Sequence, residues 1–156
     1  NNLTREELAS IIWHFGQERF SNRIAKRIVD NRIRIPIDTT TKLASLILKT
    51  ISHTNRFSRI HPATRTFQAF RIAVNQELES LEIFLNRIEK FINKNGRLCI
   101  ISFHSLEDRI VKNNFRLLSK TIGFKTIFKK PITPQEQEIR NNPRSRSAKL
   151  RVLEKI

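Results

Sequence analysis

The segment 96–112 carries the side chains best suited to chemistry in this chain, and it reads GRLCIISFHSLEDRIVK. Its apolar run, 98–101, leads directly into a polar cluster formed by Ser102, His104 and Ser105, after which a helical pattern begins. A continuous apolar strand is typical of a parallel sheet that is covered on both faces. Ligands of open α/β sheets bind at the carboxyl ends of the strands, so the cluster is predicted to lie at an active-site edge.

His104 has two interpretations, and both stay open at this level. An imidazole at the end of a strand can hold a substrate or transfer a proton, but a histidine in a tight strand-to-helix turn can equally be a hydrogen-bonded structural residue. Glu107 and Asp108 could be catalytic carboxylates. Acids in the first turn of a helix also serve as caps and suit the macrodipole, and this structural interpretation is favoured. Ser105, with Asp108 three residues later, is the predicted cap.

Two common kinds of site are not predicted. The four histidines lack ligand spacing and Cys99 is the only cysteine, so no metal site is expected. Three glycines, far apart, cannot form a Gly-rich phosphate loop. Cys99 lies inside the apolar run and is expected to be buried. A single cysteine suits a reducing, cytoplasmic environment.

The net charge is the strongest global signal. Thirty Lys and Arg residues against fourteen Asp and Glu leave a formal charge of +16. Such an excess favours a polyanionic partner, usually nucleic acid, over a merely solvated basic surface. The basic residues are spread along the chain, which favours a folded RNA- or DNA-contacting surface over a disordered arm.

Four arginines are candidate contacts to phosphate. Arg65 and Arg71 lie near the start of a predicted helix, whose positive end favours an anion. Arg144 and Arg146 lie beside hydroxyls and a rigid proline in the loop 142–147 and could bind phosphate in bidentate fashion. The structural alternatives are helix capping around residues 64–66 and pairing of the two loop arginines with acidic neighbours.

The hydrophobic pattern predicts a helical first part and a mixed second part. Short helices that begin after Thr4, near Glu18 and near Thr39 form a small all-α unit, with Gly16 ending the first. One continuous helix, about 40 Å long, is predicted between residues 63 and 92. A strand over 97–103, a helix over 105–119 and strands near 124–130 and 148–155 follow. No apolar run is long enough to cross a membrane. The chain opens at Asn1 and lacks methionine, so we expect a fragment or a trimmed product.

Three segments together resemble the MraW family, the small-subunit ribosomal RNA methyltransferases H. They read HPATRTFQAFRIAVNQELESLE over 61–82, GRLCIISFHSLEDRIVK over 96–112 and NPRSRSAKLRV over 142–152. The basic stretch ERFSNRIAKRIV over 18–29 resembles a helical segment of the same family. The similarity runs over essentially the whole chain.

The resemblance implies an α/β fold, a class I Rossmann-like methyltransferase with an inserted all-α domain. Residues 1–62 would be the rear part of the helical, substrate-recognition insertion, and 63–156 the C-terminal part of the methyltransferase domain. The family transfers a methyl group from S-adenosylmethionine to N4 of a cytidine in the decoding centre of 16S rRNA. The strand 97–103 would be the fifth of the sheet, and the last two strands its closing hairpin.

The resemblance also implies that the cofactor-binding half lies upstream of Asn1, so the isolated chain is expected to be inactive. Ser102 and His104 are the candidate catalytic residues. The implied partners are 16S rRNA and the small ribosomal subunit, with no membrane. The alternative function is a basic, non-catalytic RNA-binding module, such as a truncated or decayed gene product.

Overall fold

A computed structural model describes residues 1–51, 61–121 and 123–156. Most of the predicted basic loop 53–62 lies outside these residues. The chain divides into two compact units, a helical unit (Asn1–Gln76) and a sheet unit (Glu77–Ile156). The helical unit contains α1 (Arg5–Gly16), α2 (Ser21–Arg32), α3 (Thr40–Ile51) and α4 (Thr64–Asn75). The sheet unit contains α5 (Glu77–Arg87), a 3-10 helix (Ile88–Phe91), β1 (Arg97–Ser102), α6 (Ser105–Thr121), β2 (Phe124–Thr126), α7 (Glu136–Asn141), a second 3-10 helix (Pro143–Ser147) and β3 (Lys149–Lys155).

The helical unit begins with the predicted capping box, which is confirmed. The Thr4 hydroxyl accepts a hydrogen bond from the Glu7 amide at 3.2 Å, and the Glu7 carboxylate accepts one from the Thr4 amide at 2.7 Å. Helix α1 packs against α2 and α4, and α2 packs against α3. The core between them is made of side chains at helical spacing, chief among them Ile12, Ile24 and Ile47.

Helix α1 ends at Gly16, as predicted, but Gly16 is not its left-handed cap. The residue with left-handed backbone at the end of α1 is Gln17 (φ 50°), whose amide bonds back to the last turn. Gly16 instead lies against α4, where a Cβ atom would be 2.6 Å from the carbonyl oxygen of Arg65. Glycine is needed here because the two helix backbones approach closely.

The single long helix predicted over 63–92 is wrong. Helix α4 ends at Asn75 and α5 begins at Glu77, because Gln76 between them adopts a left-handed conformation (φ 51°, ψ 40°). The apolar spacing of three and four residues continues across the break, so periodicity alone does not reveal it. Val74, predicted on the buried stripe, is 81% exposed. The predicted domain boundary between residues 62 and 63 stays a prediction, whereas the compact units of this chain divide at Gln76.

The sheet unit is built on three antiparallel strands in the order β1-β3-β2. Strand β3 pairs with both neighbours, Cys99 lying opposite Val152 and Lys125 opposite Glu154. The predicted strand 124–130 is shorter than expected and ends at Thr126, after which Ile132 forms one isolated bridge to β3. Helix α7 was not predicted from the sequence.

Helices α5 and α6 pack on one face of this sheet region. Val111, Phe115 and Leu118 of α6 share a buried cluster with Phe124 and Leu153. The expectation that β1 is covered on both faces, with Cys99 buried, is wrong for this chain. Alternate residues of β1 are exposed, Cys99 among them, and Ile101 is 57% exposed.

Within the described ranges, no helix combines the length and the hydropathy needed to span a membrane.

We expect Gly16→Ala to lower the free energy of unfolding by about 1–3 kcal/mol, because the new methyl group meets a backbone oxygen that cannot move away cheaply. This cost outweighs the gain of about 1 kcal/mol that alanine normally brings inside a helix. Urea unfolding followed by circular dichroism measures it. The control is Ser10→Ala on the exposed face of α1, for which a change within about 0.5 kcal/mol is expected. Equal stability of Gly16→Ala and the wild type would contradict the close approach.

Candidate active-site edge

The carboxyl end of β1 is the predicted active-site edge, and its first polar residue is Ser102. The Ser102 side chain is buried, and its hydroxyl donates a hydrogen bond to the carbonyl oxygen of Lys149 at 3.4 Å. These two residues are register partners between β1 and β3. Phe103, which follows, is 54% exposed. Ser102 therefore joins the end of β1 to β3, and the aromatic ring beside it stands in solvent.

His104 and Glu107 cap helix α6 reciprocally. The Nδ1 atom of His104 accepts a hydrogen bond from the Glu107 amide at 3.3 Å. The Glu107 carboxylate accepts one from the His104 amide at 3.2 Å and another from the Phe103 amide at 2.8 Å. The carbonyl of His104 accepts the first helical bond, from the Asp108 amide. The predicted cap at Ser105 is wrong by one residue, because histidine is not among the residue types usually expected at that position.

The cap determines which nitrogen of His104 carries the proton. Since Nδ1 accepts a hydrogen bond, the proton of the neutral ring lies on Nε2. Nε2 faces the other carboxylate oxygen of Glu107, 3.4 Å away. Glu77 of α5 also lies here, and one ligand-type atom from each of Glu77, His104 and Glu107 falls within 4.8 Å of the others. Sequence spacing did not indicate this group, because Glu77 comes from a distant helix. A metal ion there would have to displace the Nε2 proton.

Asp108 forms an ion-pair cluster with Arg151 and Lys149 of β3, in which the side chains of Asp108 and Arg151 are each 12% exposed. Its carboxylate accepts two hydrogen bonds from the Arg151 guanidinium, at 2.7 and 3.3 Å, and one from the Lys149 ammonium at 3.2 Å. Burial favours the neutral acid, but the hydrogen bonds from Arg151 and Lys149 outweigh it and lower the pKa of Asp108. The contacts of Asp108 are thus ion pairs with cations of β3 and not the predicted helix cap, and its structural rather than catalytic role stays a prediction.

Glu154, on the middle strand β3, forms ion pairs with both outer strands. Its carboxylate pairs with Lys125 of β2 at 2.8 Å and with Arg97 of β1. Hydrogen bonds from these two cations lower the pKa of Glu154. Sequence reasoning missed this group, although the alternation of charged and apolar residues along β3 was visible.

The four candidate phosphate-contacting arginines are all exposed. Arg65 and Arg71 lie on α4 of the helical unit, and the Arg65 guanidinium donates to the Gln17 carbonyl at 3.4 Å. Arg144 and Arg146 lie in the 3-10 helix of the sheet unit, on either side of buried Ser145. Neither loop arginine has an acidic partner among the described residues. The alternative, in which Arg144 and Arg146 pair with acidic neighbours, is therefore wrong for the described residues. The cations that pair with Asp108 are Arg151 and Lys149.

The residues around α4 also differ from the predicted cap. Ala63 occupies the N-cap position without a side-chain hydrogen bond, and the His61 ring accepts one from the Ala63 amide at 3.2 Å. Capping by Thr64 or Thr66 is therefore not what starts α4. Contact of any of the four arginines with phosphate stays a prediction.

We expect Asp108→Asn to lower the free energy of unfolding by about 2–3 kcal/mol, because it leaves the Arg151 guanidinium without its countercharge. A group with a lowered folded-state pKa stabilises the fold above its unfolded pKa. The difference in the free energy of unfolding between wild type and variant should therefore be complete above about pH 5. It should shrink as the pH falls through 3.8, the ordinary pKa of an aspartate, and below.

Thermal and urea unfolding at several pH values measure this difference. Asp30→Asn is the matched control, because Asp30 forms an exposed pair with Lys26 and its loss should change stability little. A pH-independent difference between wild type and Asp108→Asn would contradict the assigned ionisation.

Comparison with known proteins agrees with the resemblance drawn from the three segments. The model of the MraW methylase family matches residues 1–156. The ribosomal RNA small subunit methyltransferase H of Nostoc punctiforme is 53% identical over 156 residues, covering 100% of this chain and 50% of its own length. The proteins of the same name from Synechocystis sp. and Trichodesmium erythraeum are 51% and 49% identical, with 100% of this chain and 49% and 53% of their own lengths covered.

The chain spans about half the length of these curated relatives. The match nevertheless extends from its first residue to its last and includes the edge at β1. This chain belongs to the MraW methylase family.

Proposed function

We propose that this chain is the C-terminal half of an S-adenosylmethionine-dependent methyltransferase that modifies N4 of a cytidine in the decoding centre of 16S rRNA. The observation that carries the proposal is the family match over all 156 residues, together with about 50% identity to proteins named ribosomal RNA small subunit methyltransferase H. The net charge of +16 supports a polyanionic substrate. The partner would be the small ribosomal subunit, in the cytoplasm.

The sheet topology supports the assignment of the second half to a Rossmann-like methyltransferase domain. Strands β2 and β3 form an antiparallel pair, as a closing hairpin requires, and β3 lies between β2 and β1. We assign β1 as the fifth strand of the complete sheet. This assignment explains why the exposed residues Cys99 and Ile101 are apolar, because both faces of such a sheet are normally covered.

The described residues do not fit an S-adenosylmethionine site without further groups. The polar atoms at the end of β1 are engaged locally, Ser102 with β3 and the His104 Nδ1 with Glu107. Gly96 and Gly123 serve tight turns: a Cβ on Gly96 would be 2.8 Å from the Asn93 carbonyl, and Gly123 has φ +49°. We therefore place the cofactor site in residues that correspond to the other half of the relatives.

The contribution of this chain would be to keep the active-site edge at β1, which faces the substrate, rigid. Methyl transfer to an exocyclic amine depends mainly on the alignment of the reacting groups. Ser102 and His104 follow β1 directly, and three sets of contacts restrain that turn: the Ser102–Lys149 bond, the His104–Glu107 cap and the Asp108 ion pairs. We propose that Ser102 and His104 position the target base by fixing the turn after β1, the His104 ring being buried against Glu107.

The first experiment joins this chain to the N-terminal half of the Nostoc punctiforme relative. The joined protein is expected to methylate undermethylated small subunits, with N4-methylcytidine detected by mass spectrometry. The 156-residue chain alone is expected to show no methylation and no heat of binding with S-adenosylmethionine. Tight cofactor binding by the chain alone would contradict the placement of the site. A joined protein that binds both cofactor and rRNA without methylating would favour a non-catalytic RNA-binding module.

The second experiment separates the two roles of His104. We expect His104→Asn to keep the stability, because asparagine is a strong cap, and His104→Ala to lose about 1 kcal/mol. If the imidazole itself positions the substrate side of the site, both variants of the joined protein lose about 10²-fold in kcat/KM or more. Full activity of the stable His104→Asn protein would assign His104 to capping alone. Ser10→Ala, away from this edge, is the activity control.

A further inference from the structure

A basic cleft lies between α2 and α3 in the helical unit. We define it by Arg23, Lys26, Arg27 and Asp30 of α2 and by Lys49 and Thr50 near the end of α3. Its volume is about 330 Å³. The four cations are exposed, and they point away from the core because the opposite face of α2 buries Ile24 and Ile28. None of them is among the four arginines singled out from the sequence as RNA contacts.

The cleft carries charge that the described residues do not neutralise. Lys26 pairs with Asp30 at 2.7 Å. Arg23 donates to the Thr50 carbonyl at 3.2 Å, a neutral acceptor. Arg27 and Lys49 have no acidic partner in the parts of the chain that the structure describes. Four cations and one carboxylate therefore leave three positive charges around one concavity. Such a concentration of cations favours an anion, because Asp30 offsets only part of their mutual repulsion.

The shape of the region favours a chain of anions over a single one. Arg23 and Arg27 lie one helical turn apart on the same face of α2. Arg27 and Lys49 also line a second, adjoining depression of about 450 Å³, which includes Asn31 and Lys42. The other cation of this depression, Lys42, pairs with Asp38 at 2.7 Å, so it is Arg27 and Lys49 that extend the positive surface of the cleft into it. Arg23 is further restrained by its stacking on Phe20, with 5.5 Å between its Cζ atom and the ring centroid.

We propose that the basic cleft binds the phosphodiester backbone of the RNA substrate, with Arg23, Arg27 and Lys49 contacting successive phosphates. The inference rests on the proposed function in taking the polyanion to be RNA. Phosphate contacts orient a protein on a nucleic acid without reading its sequence. The cleft would therefore hold the rRNA in register while the edge at β1 meets the target base. Long side chains from two separate helices suit this task, because they can follow a curved backbone.

The test compares the 156-residue chain with the triple variant Arg23→Gln, Arg27→Gln, Lys49→Gln. Binding of a short fluorescein-labelled single-stranded RNA is followed by fluorescence anisotropy between about 50 and 200 mM KCl. Each phosphate contact to a single strand contributes about 0.7 to the slope of log K against log salt, so the triple variant should lose about 2 from that slope. We also expect at least about tenfold weaker binding at the lowest salt.

The matched control removes the same charge elsewhere, by Lys90→Gln, Lys94→Gln, Lys120→Gln on exposed positions of the sheet unit. This control is expected to keep most of the slope. Since Arg23 also bonds to α3, the double variant Arg27→Gln, Lys49→Gln leaves that contact intact and should lose about 1.4 from the slope. Circular dichroism verifies that each variant is folded.

The outcomes separate this inference from the proposed function. A triple variant with the wild-type slope, or a control with an equal loss, would overturn the cleft as a phosphate site even if the joined protein methylates rRNA. Loss of slope in the triple and double variants supports the cleft, whether or not the joined protein is active. A wild-type chain that does not bind RNA would overturn both the cleft and the RNA-binding part of the proposed function.

Discussion

The Asp108 carboxylate is the point on which the geometry of the β1 edge depends. It lies in the first turn of α6 and accepts hydrogen bonds from Arg151 and Lys149 of β3. Helix α6 and the middle strand of the sheet are thereby joined next to the turn that carries His104. Removing one member of such a buried group leaves the others with uncompensated charge, so the three residues act as a unit. The hydrogen bonds between Glu107 and His104 then need only to orient the His104 ring, because the ion pairs of Asp108 already fix the start of α6.

The large positive charge of the chain is divided between two functions. Part of it stabilises the sheet unit: Arg97 and Lys125 hold Glu154, and the Lys155 ammonium donates to the carbonyls of Glu89 and Ile92. Another part has no acidic partner among the described residues and lies on the surface, at the basic cleft of α2 and α3 and around Ser145. Composition reports only the sum of these two parts. Burial and pairing show which cations are available to a polyanion.

The elements that follow from local patterns were largely predictable. The capping box at Thr4, the strand at 97–102 and the helix from Ser105 depend on neighbours within a few residues, and each is present. Some errors arose where a neighbour distant in sequence decides, and others at single positions whose local signal was misleading. Gly16 is required by the carbonyl of Arg65, and Gln76 interrupts an apolar stripe that continues beyond it. Cys99 is apolar and lies in a strand, yet it is exposed because its face of the sheet is not covered here.

From its residues alone, the chain can be assigned to its family, because long specific segments such as SFHSLEDR carry that information without reference to contacts. The charge excess and most helix starts are equally accessible, since they are sums or local interactions. The partners of Asp108, the approach of Glu77 to His104 and the concavity at α2 and α3 are not. Each depends on side chains separated by tens of residues, and only packing of the helices and strands brings these side chains within hydrogen-bonding distance or around one cleft.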